Sequence, residues 1–179
     1  MGTIKTTNIE PIADNGTVTL GGSGDTFTLG SGVVQSNLIY PAWSAKRGSD
    51  QTGIANDTST IIVCDTEELD SDGAYNTSTG VFTVPTGKGG KYMVGAAYRT
   101  NASGTATRIV AYLYIGSTAT RQFNNNQNSS GEASSNIHGV LNLSAGDEVS
   151  FRMYQNTGSA VNAVATSGGT YFYGYRIGS

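Results

Sequence analysis

Few residues of this sequence could carry catalysis, because its ionisable side chains form no recognisable catalytic or metal-binding pattern. His138 is the only histidine and Cys64 the only cysteine among the 179 residues. His138 lies between two apolar or small residues in a strand-like run, without a G-x-S-x-G nucleophile motif. One cysteine and one histidine are too few ligands for a zinc site. The sequence therefore predicts a protein that is not an enzyme and has no resident cofactor.

An acidic run, residues 65–72, is the candidate for metal binding. Its carboxylates include Asp65, Asp70 and Asp72, and carboxylate oxygens are the hard ligands that calcium prefers. The run lacks the spacing of a calcium-binding loop, and charged residues in an exposed connection are common. Two interpretations stay open: a calcium site formed by Asp65, Asp70 and Asp72, or a solvated connection between strands.

The polar segment 121–132 is the candidate for ligand binding, and we expect it to be a long loop. It places one aromatic ring among six amide side chains. Amides beside a ring can bind both the hydroxyls and the apolar face of a sugar, and such residues often lie on loops. The candidate contacts are Phe123, Asn124, Asn125, Asn126, Gln127 and Asn128. A surface insertion without a ligand is the other interpretation.

Composition limits the function further. The formal net charge is −3 and the sequence pI is about 5.0, which argues against nucleic acid as a partner. No run approaches the roughly 18 apolar residues of a membrane span, and the N-terminus lacks the apolar centre of a signal peptide. A chain rich in Gly, Ser, Thr and Asn nevertheless suits the outside of a cell. We therefore expect a viral particle component that is made in the host cytoplasm and released by lysis.

Short strands must position these candidate residues. No 3.6-residue periodicity occurs, and apolar runs after residue 38 are bounded by Gly, Asn, Asp, Ser or Thr clusters, which indicates an all-β sandwich. In one run, Val149, Phe151 and Met153 alternate onto one face, with Glu148 and Arg152 on the other. The predicted strands are 61–65, 81–84, 91–99, 108–115, 137–143, 148–155, 160–164 and 170–177.

Several motifs resemble those of the complement component 1q head and its tumour-necrosis-factor-like relatives. They are D-G-x-Y-N at 72–76, G-x-F-T-x-P at 80–85, G-x-Y at 90–92, W-S-A at 43–45, L-x-x-G-D-x-V at 143–149 and the aromatic-Gly strand at 171–177. Seven residues separate Phe82 from Gly90, which is longer than the usual family spacing. The resemblance covers roughly residues 42–179 and implies a jelly-roll β-sandwich that assembles as a homotrimer.

Two strands are candidates for the trimer interface. Residues 108–115 have no polar face after Arg108, so we expect core on one side of Leu113's strand and a subunit interface on the other. Tyr171, Tyr173 and Tyr175 share one face of the last strand, and the resemblance implies that a tyrosine-rich strand borders the trimer axis. Tyrosine suits an interface because an apolar ring carries a hydroxyl. The alternative is that these rings complete the core of one subunit.

Residues 1–40 differ from the rest of the chain. A T-x-T-L-G sequence at 17–21 recurs at 26–30, and two short strands alone are only marginally stable in water. Three copies around an axis would bury their apolar residues, so we predict a stem that anchors the protein to a particle. Its anchor residues are Ile4, Ile9, Ile12, Val18, Leu20, Phe27 and Leu29. A flexible leader is the alternative; the opening residues also resemble leaders of marine-bacteriophage structural proteins.

Together these features predict a homotrimeric bacteriophage virion surface protein with a stem (1–40) and a jelly-roll head (41–179). We expect a capsid decoration or head fibre that docks on a capsid or tail protein, while its head cements the capsid or contacts a host surface glycan. The alternatives are a tail-fibre tip, which would be a receptor-binding adhesin, and a free carbohydrate-binding module. A capsule depolymerase would need an acid pair that the sequence does not display.

Overall fold

The computed structural model describes residues 21–22, 26, 31, 41–101, 107–127 and 133–178. The chain divides into two units, Met1–Ser36 and Asn37–Ser179, and every strand of the described residues belongs to the second. Of the predicted stem only residues 21–22, 26 and 31 are described, so the boundary at residue 40 and the anchoring role stay predictions. The anchor residues that lie outside the described residues are Ile4, Ile9, Ile12, Val18, Leu20, Phe27 and Leu29.

The described part of the chain consists of strands joined by short turns, with a single 3-10 turn at Thr166–Gly168. The strands are β1 (Ala42–Lys46), β2 (Gln51–Ile54), β3 (Thr58–Ile61), β4 (Thr66–Asp70), β5 (Tyr75–Asn76), β6 (Val81–Thr83), β7 (Gly90–Thr100), β8 (Thr107–Ile115), β9 (Thr118–Gln127), β10 (Ala133–Leu143), β11 (Glu148–Gln155), β12 (Val161–Ala163) and β13 (Tyr171–Gly178).

These strands form two antiparallel sheets. The seven-stranded sheet has the order β2-β12-β7-β13-β1-β4, and β10 pairs along the other edge of β7. The six-stranded sheet has the order β5-β6-β11-β8-β9, and β3 pairs with β11 next to β6. The predicted all-β jelly-roll sandwich is confirmed. Within the described ranges, no helix is long and apolar enough to cross a membrane.

The core lies between the two sheets because alternate residues of each strand point inward. Val149, Phe151 and Met153 of β11 are fully buried, whereas Glu148 is exposed and Arg152 is half-buried, as the alternation predicts. The facing sheet contributes inward residues such as Val94 of β7 and Phe172 of β13. Burial of these side chains is the main favourable contribution to folding.

The centre of the core is a stack of aromatic rings. Trp43 of β1 stacks on Phe82 of β6, with ring centroids 3.7 Å apart and an angle of 8° between the planes. Phe172 of β13 meets Trp43 edge to face at 5.5 Å. Trp43 also lies opposite Gly174 in the β1–β13 pairing, and a Cβ at position 174 would lie 2.2 Å from Cη2 of Trp43. The tryptophan of the W-S-A motif at 43–45 therefore requires the glycine of the aromatic-Gly strand at 171–177.

Seven of the eight predicted strands coincide with observed strands, and the first does not. Of residues 61–65, only Ile61 belongs to a strand. The side chain of Gln51 takes the place of a neighbouring strand here: its amide donates to Ile61 O at 2.8 Å, and its carbonyl accepts from Val63 N at 2.9 Å. Side-chain pairing satisfies the backbone without extending the ladder.

Two polar segments that we expected to be connections are strands. Residues 66–70 of the acidic run form β4, which pairs with β1 at the edge of the seven-stranded sheet. Residues 121–127, predicted as part of a loop, belong to β9, which pairs with β8 at the edge of the six-stranded sheet. Edge strands often carry polar and charged side chains, so neither segment shows the apolar alternation by which strands are recognised. Sequence reading also missed β1, β2 and β5.

Candidate functional site

The outward face of the seven-stranded sheet is the candidate functional site. β13 contributes Tyr171, Tyr173 and Tyr175, which pair with Ala97, Gly95 and Met93 of β7. On the far side of β7, the same three residues pair with Asn136, His138 and Val140 of β10. Paired residues point to the same side of a sheet, so these strands present one continuous, largely apolar surface. We call it the tyrosine face.

Exposed apolar side chains concentrate on this sheet. Among the described residues, six large hydrophobic side chains are exposed, and five of them belong to β4, β10 or β13. They are Leu69, Val140, Tyr171, Tyr175 and Ile177. Leu69 is 50 % exposed and lies opposite Ser44 of β1, which extends the face beyond the tyrosines. A contiguous apolar surface of this kind is typical of a protein–protein interface.

Tyr173 is the centre of the tyrosine face. Its ring lies over Gly95 of β7, where a Cβ would come within 2.5 Å of the phenol carbon and oxygen. Burial raises the pKa of Tyr173, and the neighbouring Tyr171 and Tyr175 raise it further, so the ring is neutral at physiological pH. Because the ring occupies the space of the missing side chain, the centre of the face is aromatic and uncharged.

The prediction that Leu113 lies in the trimer interface is wrong. Its side chain is 0 % exposed within the single chain and belongs to the core cluster. We expected an interface because the strand 108–115 has no polar side, but the structure explains this apolar pattern without a partner subunit. The outer side of β8 is covered by this chain's own tyrosines and arginines: Arg152 lies 4.2 Å from the centroid of Tyr114, and Tyr112 packs edge-on against Tyr114 at 5.8 Å.

The predicted ligand-binding residues lie on an edge strand instead of a loop. Phe123 is 54 % exposed and pairs with Ala111, which faces the core; it therefore lies at the open rim between the sheets and is not a core plug. Asn124 is exposed and accepts a hydrogen bond from Nε of Arg108 at 3.1 Å. Asn125, Asn126 and Gln127 follow in β9, and Asn128 lies outside the described residues. Their ligand-binding role stays a prediction.

The carboxylates proposed for calcium are each engaged by donors of the chain. Asp65 forms an ion pair with Arg47 at 3.3 Å and accepts from Gly48 N at 2.7 Å. Asp70 accepts from Tyr75 N at 2.8 Å, and Asp72 accepts from the Ser71 hydroxyl at 2.6 Å.

No group of three or more His, Cys, Asp or Glu side chains in the described ranges could hold a metal ion. The structure thus does not gather Asp65, Asp70 and Asp72 into one site, and calcium stays a prediction without a geometric argument.

Sequence reading missed a buried charge. Arg47 is only 7 % exposed; its guanidinium donates to the carbonyl oxygens of Ser49, at 2.8 Å, and of Val63, and pairs with Asp65. Burial raises the pKa of the neighbouring Cys64 thiol to about 12, an effect that Arg47 partly offsets. The group ties the end of β1 to the segment before β4. The only signal in the sequence was the position of Arg47, two residues after the W-S-A motif at 43–45.

His138 has no catalytic setting. It is exposed on β10 opposite Gly95, and among the described residues it forms no hydrogen bond with a hydroxyl, thiol or carboxylate. Its position in the tyrosine face assigns it to a surface and not to a cleft with a nucleophile.

Comparisons with known proteins complete the description of the site. The model of the C1q domain family matches residues 42–177, which is most of the chain and includes every strand of both sheets except the last residue of β13. No curated protein matches the chain.

Among solved structures, the globular domain of the zebrafish complement 1qA protein is similar with a TM-score of 0.56 and 20 % identity, over 77 % of this chain and 98 % of that one. Murine APRIL is similar with a TM-score of 0.56 and 12 % identity, over 76 % of this chain and 98 % of that one. At such identities the similarity concerns the fold alone.

Proposed function

The chain belongs to the C1q domain family. From this membership we infer a non-enzymatic, homotrimeric domain, and from the features of the sequence we propose that the protein belongs to the surface of a bacteriophage particle. Domains of this family and their tumour-necrosis-factor-like relatives are generally ligand-binding or structural and not enzymatic. In this proposal the N-terminal segment docks on the capsid, as in a decoration protein or head fibre, and the C1q-type head projects from it.

The tyrosine face is the structural observation that supports the proposed homotrimer. Homologous C1q- and tumour-necrosis-factor-like domains form homotrimers, and this chain presents five exposed apolar side chains on β4, β10 and β13 of one sheet. Burying such a surface against two further copies would remove it from water and supply the free energy of assembly. Tyr171, Tyr173 and Tyr175 are the interface residues of this proposal, and Leu113 is withdrawn from it.

The particle role is supported by the sequence. The repeated T-x-T-L-G segments within residues 1–40 suit a stem that is completed only by neighbouring copies. The opening residues resemble leaders of marine-bacteriophage structural proteins, and the low charge suits an exposed protein.

Purified particles test this role. Mass spectrometry of gradient-purified virions should find the protein in fixed proportion to the major capsid protein. A variant that begins at Leu38 should fold but fail to bind particles stripped of the native protein, since the anchor is removed. If this head alone decorates the stripped particles as well as the full chain does, the N-terminal segment is not the anchor.

A free carbohydrate-binding module is the second candidate, and the exposure of Phe123, at 54 %, favours it. An exposed ring beside Asn124 can stack on a sugar while the amide binds a hydroxyl. Absence from purified virions, together with glycan binding that Phe123→Ala abolishes, would select this candidate over the particle protein.

A further inference from the structure

The outward face of the six-stranded sheet carries a second patterned surface. Inward residues of β8 and β11, such as Leu113 and Phe151, are fully buried, so the alternate residues point outward. This arginine–tyrosine face consists of Arg108, Tyr112, Tyr114, Arg152 and Tyr154.

Each arginine of this face lies against a tyrosine ring of the neighbouring strand. Arg152 of β11 lies 4.2 Å from the ring centroid of Tyr114 of β8, and Arg108 of β8 lies 5.7 Å from that of Tyr154 of β11. Cation–π contacts of this kind hold long side chains in one orientation. The guanidinium groups are therefore positioned before any ligand binds.

Neither guanidinium has a carboxylate partner within the described part of the chain. Arg108 donates to the Asn124 amide oxygen at 3.1 Å, and Arg152 donates to the Ser150 hydroxyl at 3.3 Å and to Gly116 O at 3.4 Å. All three acceptors are neutral. Lys46 and Arg47, by contrast, form ion pairs with Glu68 and Asp65.

Two acidic residues border the face without forming an ion pair with either arginine. Glu148 lies four residues before Arg152 on β11, about 13 Å away along the backbone of a strand. Asp57 lies at the other end, where it accepts the hydroxyl of Tyr154 at 2.9 Å and a hydrogen bond from Asn56 at 2.7 Å. Both guanidinium groups can therefore still pair with a carboxylate of a ligand.

We propose that the arginine–tyrosine face binds an acidic polysaccharide. The forked donors of a guanidinium match the two oxygens of a carboxylate on an acidic sugar. The half-buried ring of Tyr112 offers apolar surface to the C–H face of the sugar ring. Asparagine and glutamine side chains border the face at Asn124 and Gln122 and can bind sugar hydroxyls.

The position of the face disfavours the other polyanions. An extended acidic peptide gains most of its affinity by pairing with a free sheet edge, whereas β8 and β11 are central strands that are paired on both sides. Nucleic acid carries far denser charge and requires a strongly positive surface, whereas this chain has a net charge of −3. Widely spaced carboxylates on a sugar chain fit two arginines best.

The inference goes beyond the proposed function, because the face belongs to a single head and lies on the opposite side of the sandwich from the tyrosine face. Loss of the trimer and loss of polysaccharide binding are therefore separate results. Sedimentation reports the first, and titration calorimetry reports the second.

Calorimetry with polygalacturonate as the acidic probe and dextran as the neutral probe tests the proposal. The full chain should bind polygalacturonate, more weakly as salt rises, and should not bind dextran. Arg152→Gln and Arg108→Gln should each weaken binding at least about tenfold, since each removes charged hydrogen bonds. Arg152→Lys should fall between the wild type and Arg152→Gln, because it keeps the charge but loses the fork.

Lys88→Gln is the matched control: it removes one positive charge in the turn between β6 and β7 and should bind like the wild type. All variants are compared only after their melting curves match that of the wild type. The proposal is overturned if the wild type does not bind polygalacturonate at low salt, or if both glutamine variants bind like Lys88→Gln. Equal affinity for poly-glutamate, with equal sensitivity to the arginine variants, would overturn the assignment to a polysaccharide.

Discussion

Two aromatic residues lie over glycines on opposite sides of the seven-stranded sheet. Trp43 covers Gly174 on the core side, and Tyr173 covers Gly95 on the outward side. In both pairs the ring occupies the space that a side chain would fill. Each position must therefore be glycine because of the ring on the neighbouring strand. The motifs at 43–45 and 171–177 could be recognised from the sequence alone. Their pairing required the register of β1 on β13, which no pattern within a single strand reveals.

Gly174→Ala tests the close approach of Trp43. The new methyl would lie 2.2 Å from Cη2 of Trp43, so the ring must move, and we expect a loss of stability of about 1–3 kcal/mol. Gly178→Ala in the same strand is the control, since nothing lies within 4 Å of its added Cβ. Denaturant unfolding measures both. Equal stability of the two variants would show that the ring does not restrict position 174.

Cys64 provides a test that depends on pH. Burial raises the pKa of its thiol from 9.0 to about 12, so the folded state keeps the neutral thiol where the unfolded chain would ionise. The contribution of Cys64 to stability is full below about pH 9 and declines as the pH rises towards about 12.

We expect the free-energy difference between the wild type and Cys64→Ala to shrink over that range, as followed by denaturant unfolding. We also expect the folded thiol to resist an aromatic disulfide reagent at pH 8 until denaturant is added. Labelling of the native protein at the rate of the unfolded chain would contradict a buried thiol.

At the scale of elements, the central strands were predictable and the edge strands were not. β7, β8, β11 and β13 bury alternate or successive apolar residues, and that pattern identifies a strand without other information. β4 and β9 lie at sheet edges and expose acidic or amide side chains. Their pairing depends on neighbours distant in sequence or on a hairpin, so the residue types alone indicated connections.

Phe123→Ala tests the position of β9. Because the ring is 54 % exposed at the rim of the sandwich, its removal should change the unfolding free energy by less than about 1 kcal/mol. Phe151→Ala, a truncation of a fully buried ring on β11, should cost about 3–5 kcal/mol. Thermal and denaturant unfolding of the two variants provides the comparison. A loss for Phe123→Ala as large as that for Phe151→Ala would place the ring in the core.

At the scale of the whole molecule, the two outer surfaces of the sandwich differ in chemistry. The tyrosine face is largely apolar, with the Lys46–Glu68 ion pair at its β1–β4 side, whereas the opposite face carries two arginines among tyrosines. The motifs were sufficient to predict the family and the sandwich, because their glycines and aromatic residues fix its core and turns. The apolar pattern of β8 did not identify an interface, because an apolar strand can be covered by its own chain, and the assignment of the tyrosines to an interface stays a proposal.

Tyr173→Asp tests the assembly through the tyrosine face. A carboxylate at the centre of this face would be buried without a partner in the trimer, so we expect dissociation to monomers that retain the β-sheet signal in circular dichroism. Ser78→Asp adds the same charge at an exposed turn between β5 and β6 and should leave assembly unchanged. Trimers of unchanged stability in Tyr173→Asp would place the interface elsewhere.

Sedimentation equilibrium of the full chain tests the central claim most directly. If the tyrosine face joins three copies, the protein at micromolar concentration should sediment with about three times the 18.5 kDa mass of one chain, without a detectable monomer. A well-folded species with the mass of one chain at that concentration would contradict the trimer, and with it the proposed surface protein.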